Sequence, residues 1–255
     1  MKYLLILSCL LFTSVGWSKD VDWGDLVTRD GLHYEKFTDV PFTGNVKGQR
    51  QGKISKGKPE GQHLHYHENG QLQRKEYYKN GIVEGEVLQY YENGQLEVKI
   101  NIKDDKIHGE ILGYYESGEL KQKSYQYFDK LEGEQLFYHE NGQLQSKWNY
   151  KDDKKDGEQF SYHENGNRWS KRYYKDGKEE GEQFSYHENG QLKFKENYKD
   201  GSLEGEQLVY YDNGQLRKKV NYNYGKKNGE WLFYKENGEL EETKIYRGGE
   251  RIWKD

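Results

Sequence analysis

Apolar side chains recur along this chain at even positions of a unit 24 residues long. Residues 133–156 show it: GEQLFYHENGQLQSKWNYKDDKKD, numbered from Gly133 as position one. Position four is apolar in eight successive copies: Leu64, Leu88, Leu112, Leu136, Phe160, Phe184, Leu208 and Leu232. Position six is tyrosine in all of them, from Tyr66 to Tyr234. Position twelve is leucine from Leu72 to Leu240, with Arg168 the exception. Position eighteen is aromatic in most copies, as in Tyr78, Tyr150, Tyr174, Tyr198, Tyr222 and Tyr246. The odd positions carry mainly Gln, Ser, His, Lys and Asn. Alternation of period two, broken by Asn-Gly and Asp-Gly, predicts short strands joined by tight turns. No stretch sustains the 3.6-residue period of an amphipathic helix.

The repeat runs without insertion or deletion. Its turn glycines are Gly70, Gly94, Gly118, Gly142, Gly166, Gly190, Gly214 and Gly238, and a second series runs from Gly61 to Gly229 at the same spacing. A fixed period of this length marks a repeat architecture. A three-residue Glu-Asn-Gly loop sets position six opposite twelve and four opposite fourteen, which keeps the even apolar residues on one face. The fitting geometry is a type I turn closed by a left-handed glycine. Lys-Asp-Gly, as at Lys175–Gly177 and Lys199–Gly201, predicts a second three-residue loop of the same parity. The expected fold is all-β: an elongated, twisted antiparallel meander of 24-residue hairpin repeats. Two strands per unit add about 10 Å of length, and right-handed twist coils the ribbon. The expected organisation is a signal peptide at 1–18, an N-terminal cap and partial repeat at 19–60, eight repeats at 61–252, and a C-terminal end at 253–255. Within the cap, residues 47–60 already keep the repeat register, with Gly57 in the second turn.

Composition sharpens this picture. Charged residues make up 33% of the chain and hydrophobic ones 32%, which alone would suit disorder, but aromatics reach 15%. Tyrosine packs a ring on a sheet surface while its hydroxyl stays wet, so a thin structure with a narrow buried stripe is expected. The formal net charge of -4 offers no basic footprint for nucleic acid and no polybasic membrane anchor. The leader reads as an export signal: Lys2, an apolar run at 3–15, then small residues with cleavage after Ser18 or Gly16. The run is short for a bilayer span, so no integral membrane segment is expected after its removal. Export places the protein in the periplasm, at the cell surface or outside the cell. The one cysteine, Cys9, lies in this run; a signal ending just before it would have almost no apolar core, which disfavours lipidation. Without it the mature chain has no disulfide.

Segments such as YYENGQLEVKINIKDDKIHGE and YHENGQLKFKENYKDGSLEGE resemble the MORN-repeat variant: Tyr-x-x-Asn-Gly, Leu, then Tyr-x-x-Gly before the next Gly-Glu. The front segment LVTRDGLHYEKFTDVPFTG, residues 26–44, resembles the start of the YwqK-like antitoxin family. The resemblance implies an open twisted β-meander without catalytic residues, and a role in neutralising a partner toxin. Unit five departs from the pattern at Asn167, Arg168 and Trp169.

Candidate chemistry is weighed against that scaffold. His63, His65 and His67 lie two apart on a strand, about 6.6 Å between neighbours, which is wide for one zinc ion. His139, His163 and His187 occur once per unit and cannot share an ion. They read as polar-face residues. Glutamates at position two, from Glu86 to Glu230, share the apolar face by parity. Seven equivalent carboxylate pairs, formed with the acidic residue at position eight, speak against glycoside hydrolysis, since an active site is a local exception to its scaffold. Lysines at position fifteen, from Lys75 to Lys219, form a polar-face ladder that reads as a solubilising stripe balanced by nearby acids. No nucleophile–base motif, P-loop or dinucleotide fingerprint occurs. The expectation is therefore an exported, non-enzymatic scaffold for protein–protein interaction, antitoxin-like in its neutralisation of a partner, with no catalytic residue, metal or cofactor. A carbohydrate or cell-wall binder using tyrosine rows is the alternative. Trp169, at an odd outward position, is the candidate binding residue; the competing reading is that it covers the gap left where Arg168 replaces leucine.

Overall fold

The computed structural model describes residues 19–253; the apolar leader at 1–18 with Cys9, and residues 254–255, lie outside the described residues. Among the described residues there is no α-helix, only a 3₁₀ turn at Trp23–Asp25. The chain is one long, open meander: 27 described strands form a single sheet in which neighbours in space follow one another in sequence. The N-terminal end departs from a pure meander. Its strands are β1 (Lys19–Asp22), β2 (Leu26–Arg29), β3 (Leu32–Glu35), β4 (Gly44–Lys47), β5 (Arg50–Ser55) and β6 (Lys58–Tyr66). β1 runs parallel to β4, and β2–β3 form a separate hairpin. Val21, Phe42, Val46 and Ile54 bury a small apolar cluster there, with Trp23 and Leu26 packed against it.

Unit four shows how each repeat folds. Gly133–Tyr138 pairs antiparallel with Leu144–Lys151. Tyr138 lies opposite Leu144, as the three-residue loop requires. Gly142 closes the turn at φ +81°, and its N–H donates to the His139 carbonyl. Asn141 Oδ1 accepts the Gln143 N–H, which locks the bend. The next pair departs from expectation: Phe137 faces Ser146, so Gln145 is an extra residue in a β-bulge. The same shift occurs in all eight units. One extra residue moves every later side chain to the other face. Positions two, four, six, twelve, fifteen and seventeen therefore share one side, here the leucine face. Positions three, five, fourteen, sixteen and eighteen share the other, the glutamine face. The expected single face of leucines and tyrosines is thus split, and the lysine column joins the leucine side.

The second turn also differs from the expected three-residue loop. Lys175 pairs directly with Lys178, leaving Asp176 (φ +48°) and Gly177 (φ +84°) as a two-residue turn. Positive φ at both central residues gives the mirror-image turn whose twist matches the flanking strands. Asp, Asn and Gly tolerate that region, which explains their recurrence there.

Units join through a wider irregularity. Tyr150 pairs with Lys155 while Lys147 pairs with Phe160, so the incoming strand carries two extra residues. Those residues open the backbone ladder, and position three repairs it. Gln159 Oε1 accepts the Asn149 N–H at 3.1 Å, and its Nε2 donates to the Asn149 carbonyl at 2.9 Å. Gln135, Gln183 and Gln207 do the same at Tyr125, Tyr173 and Asn197. These side chains are between 1% and 4% exposed. His63 and Trp231 reach only the carbonyl, at Lys53 and Asn221, while Val87 fills the same place without polar atoms. Alternation alone assigned these glutamines to a wet face; the amide is instead a surrogate for backbone.

Two outcomes test this construction. Gly142→Val forces a β-branched residue into the left-handed region, at a cost of about 1–2 kcal/mol, whereas Gln143→Ala changes melting little; equal thermal shifts would contradict the turn. Gln183→Leu leaves a backbone N–H and carbonyl of Tyr173 without their side-chain partner, so chemical denaturation should show a loss of about 1–3 kcal/mol, well above that of Gln191→Leu on the exposed turn.

Candidate functional site

Most of the repeated polar residues turn out to hold one unit to the next. Asn69, Asn93, Asn141, Asn165, Asn189 and Asn213 each donate from Nδ2 to the carbonyl at position eight of the following unit. Position seven bonds to the next unit's position-six carbonyl, whether through Nε2 of His67, His139 and His187 or the hydroxyl of Tyr91, Tyr115 and Tyr211. A ring donor at one height explains why His and Tyr interchange there. His163 is the exception, with a buried Nε2 that has no partner among the described residues.

Lysines at position fifteen pair with glutamates at position two: Lys99–Glu86, Lys123–Glu110, Lys147–Glu134, Lys171–Glu158, Lys195–Glu182 and Lys219–Glu206. Hydrogen bonds donated to these carboxylates hold Lys99, Lys123, Lys195 and Lys219 above the ordinary lysine range. The ladder is exposed and self-neutralised. Each pair adds little stability, but together they cancel the charge of the leucine face.

Unit one carries a buried polar knot. Glu76 is 4% exposed and receives Arg74 Nε at 2.7 Å and the Tyr78 hydroxyl at 2.9 Å, with His65 Nε2 at 3.4 Å. Burial alone would raise its pKa; the hydrogen bonds from His65, Arg74 and Tyr78 outweigh that and hold it at about 2. His63 stacks edge-on against Tyr78 at 4.8 Å. His63 and His65 on this strand and His67 just past its end thus serve three different neighbours.

The glutamine face loses its uniformity in units four to six. Ser146, Ser161, Ser170 and Ser185 lie on four adjacent strands as successive cross-strand partners. Phe137 precedes the row and Phe194 follows it. Four small residues between two phenylalanines leave a trough. Its main hollow, about 470 Å³, is lined by Trp148, Trp169, Arg172, Tyr174, Phe194 and Glu196 among others. A second hollow of about 260 Å³ adjoins it and shares Trp148, Ser161 and Trp169. Arg172 Nη1 meets Glu179 Oε1 at 2.6 Å, and the Tyr174 hydroxyl donates to the same oxygen at 3.2 Å. Lys155 sits over the Trp148 and Tyr174 rings at 4.7 and 5.1 Å. Burial pushes Glu196 above the ordinary carboxylate range against the pull of Arg172. Burial, with Glu196 and Glu179 nearby, pushes Tyr198 up to about 12.

Trp169 is 52% exposed on the rim of both hollows. Arg168 lies over the Phe160 ring at 5.2 Å, on the opposite side of the sheet, so Arg168 itself occupies the leucine position. The serines, Trp148, Arg172 and Glu196 were not singled out from sequence. They come from different units, and only the register sets them side by side.

The MORN repeat variant family matches at residues 59–80, 83–104, 107–129, 131–152, 155–176, 179–200, 203–224 and 227–247, eight matches at the observed period over more than half of the chain. No curated protein matches. Among solved structures, a chain of the crystal structure of TcdB2-TccC3 overlays 79% of this chain and 14% of its own length, at 11% identity and a TM-score of 0.21. Alternansucrase in complex with isomaltononaose overlays 82% of this chain and 16% of its own, at 16% identity and a TM-score of 0.20. This chain therefore spans about a seventh of the first. Overlays this loose carry no argument about fold or function.

Two measurements follow from the geometry. Trp169→Ala should leave the melting temperature nearly unchanged, because the ring is half exposed and its recorded ring contact is His163 at 6.5 Å; a marked drop would make it a packing residue. Glu76 has a folded pKa of about 2, below its unfolded value near 4.5. Its contribution is therefore complete above about pH 4.5 and lost as pH falls toward 2. Glu76→Gln should flatten the acid limb of a stability–pH curve in that window.

Proposed function

The chain belongs to the MORN repeat variant family, and from that premise we propose that it is an exported, non-enzymatic scaffold that holds a protein partner along the leucine face. One observation carries this reading. Position four (Leu or Phe) and Tyr at position six are half-buried in all eight units, on a sheet side that no second layer of the described chain covers. The Lys–Glu ladder beside this row cancels its own charge. An apolar strip edged by satisfied charged groups has the make-up of a protein interface, an apolar centre inside a polar rim. The strip lengthens with each unit, so affinity grows from many modest contacts.

Export rests on the leader at residues 1–18 and its small-residue end. Antitoxin-like neutralisation, suggested by the resemblance of residues 26–44, is the specific form this binding would take. The non-enzymatic reading rests on the dispersal of the titratable groups: the repeating lysines and glutamates pair with each other within a unit, the position-seven His and Tyr bond to the next unit, and Glu179 is held by Arg172 and Tyr174.

The test uses the chain from Lys19 onward as bait in envelope extract, beside a variant carrying Leu136→Gln and Leu208→Gln. The expected result is a specific partner protein whose affinity falls about tenfold or more in the variant while circular dichroism and melting stay close to the parent. A partner retained equally by both, or no enriched protein, would refute the leucine-face assignment. Recovery of the full-length, uncleaved chain in the cytoplasmic fraction would refute export.

A further inference from the structure

We infer that the serine-floored trough on the glutamine face is a binding site for a neutral glycan chain lying across the strands of units four to six. This goes beyond the protein-scaffold reading and uses the opposite side of the sheet.

Shape comes first. Elsewhere on this face, Gly113 apart, positions five and fourteen carry larger side chains, such as His65, Arg74, Phe137, Phe194, Phe233 and Glu242. Only units four to six set serine on four consecutive strands. At about 4.8 Å between strands the serine row covers about 14 Å, and about 24 Å separates the flanking Phe137 and Phe194 strands. The depression is thus long in one direction, along the axis of the repeat, and it suits a chain rather than a single small molecule.

Chemistry then narrows the occupant. Among the described residues, none of the four serine hydroxyls is hydrogen-bonded to another protein group. Trp169 stands half exposed at the junction of the two hollows, with Trp148 sharing both. A pyranose ring offers an apolar C–H face to stack on indole and a rim of hydroxyls to exchange bonds with serine, guanidinium and carboxylate. Aromatic walls with a small set of fixed polar groups are what orient such a ligand. The charges argue against other chains. Arg172 is committed to Glu179, Lys155 lies on the Trp148 and Tyr174 rings, Lys193 lies over the Phe194 ring at 5.6 Å, and Glu196 faces the same hollow. A polyanion would meet that carboxylate, and each of the three cations lining the hollow already has a carboxylate or ring partner. An extended peptide laid across a sheet face reaches no strand edge, so its backbone amides would lack the ladder partners that strand addition supplies. Tyr at position six and Tyr at position eighteen lie on opposite sides of the sheet, so the two rows form no common platform; the trough takes Tyr174 of the second row beside the two tryptophans.

Binding of cellohexaose, mannohexaose and chitohexaose to the chain from Lys19 onward can be followed by tryptophan fluorescence and calorimetry, with an oligogalacturonate as the charged control. At least one neutral hexaose should bind, its triose more weakly. Trp169→Ala should weaken binding about tenfold or more, and Trp169→Phe should restore part of it. Ser161→Leu, which fills the floor, should weaken it as much while leaving the melting temperature close to the parent. The leucine-face variant should bind the sugar normally, which separates failure here from failure of the protein-scaffold reading. Absence of binding by every neutral hexaose at about 10 mM, binding by the floor and rim variants as tight as the parent's, or tighter binding of the oligogalacturonate would overturn the proposal. So would a protein partner whose capture depends on Trp169 and Ser161 and not on the leucine face.

Discussion

A single-layer sheet has no second layer to clamp it, so everything depends on how one hairpin is fastened to the next. In this chain the fastening happens where the backbone ladder is broken. Two extra residues at every junction between repeats pull the strands apart, and the side chain at position three, buried in every unit but the third, fills the gap. A glutamine amide has the same donor and acceptor spacing as a peptide group, so it completes the ladder at Tyr125, Asn149, Tyr173 and Asn197. An unpaired backbone group there would forfeit a sizeable share of the stability a marginal protein has. The Asn ladder along the turns and the His or Tyr bonds beside it add a second fastening on the same edge. Stability in such an array is a sum over neighbours.

That economy frees the two faces from structural duty and lets them differ. The leucine side stays nearly identical from unit to unit, because its apolar row and its Lys–Glu ladder recur with the period. The glutamine side tolerates variation, since only position three is tied to the backbone. Unit one uses it for a buried carboxylate with three donors. Units four to six use it for serine, and a run of small side chains beside two indoles becomes a trough. A repeat protein acquires local character in this way: the scaffold stays regular while a few residues depart from it on the side with the fewest obligations.

Much of this is legible in the sequence. The period, the hairpins and the glycine-closed first turn follow from the spacing of Tyr138, Gly142 and Leu144, because turn geometry and side-chain alternation leave few choices. Trp169 stood out because it breaks a column. The Lys-Asp-Gly turn is ambiguous in the sequence, since a three-residue loop and a two-residue mirror turn differ only in whether Lys175 pairs across the strand. The bulge at Gln145 has no signature of its own: an extra residue in one strand looks like any other polar residue, yet it reversed the facing of Lys147, Trp148 and Tyr150.

The sequence by itself therefore determined the repeat, its strand content and the places where the chain must turn, for these are local consequences of backbone sterics and hydrophobic period. The tertiary structure alone decided which face each residue joins, that Gln159 is buried while Lys171 is paired with Glu158, and that four serines from three units lie in line. Those outcomes depend on pairing register between strands. Register is set by the summed fit of bulges, turns and neighbouring units, and no single stretch of sequence carries that sum.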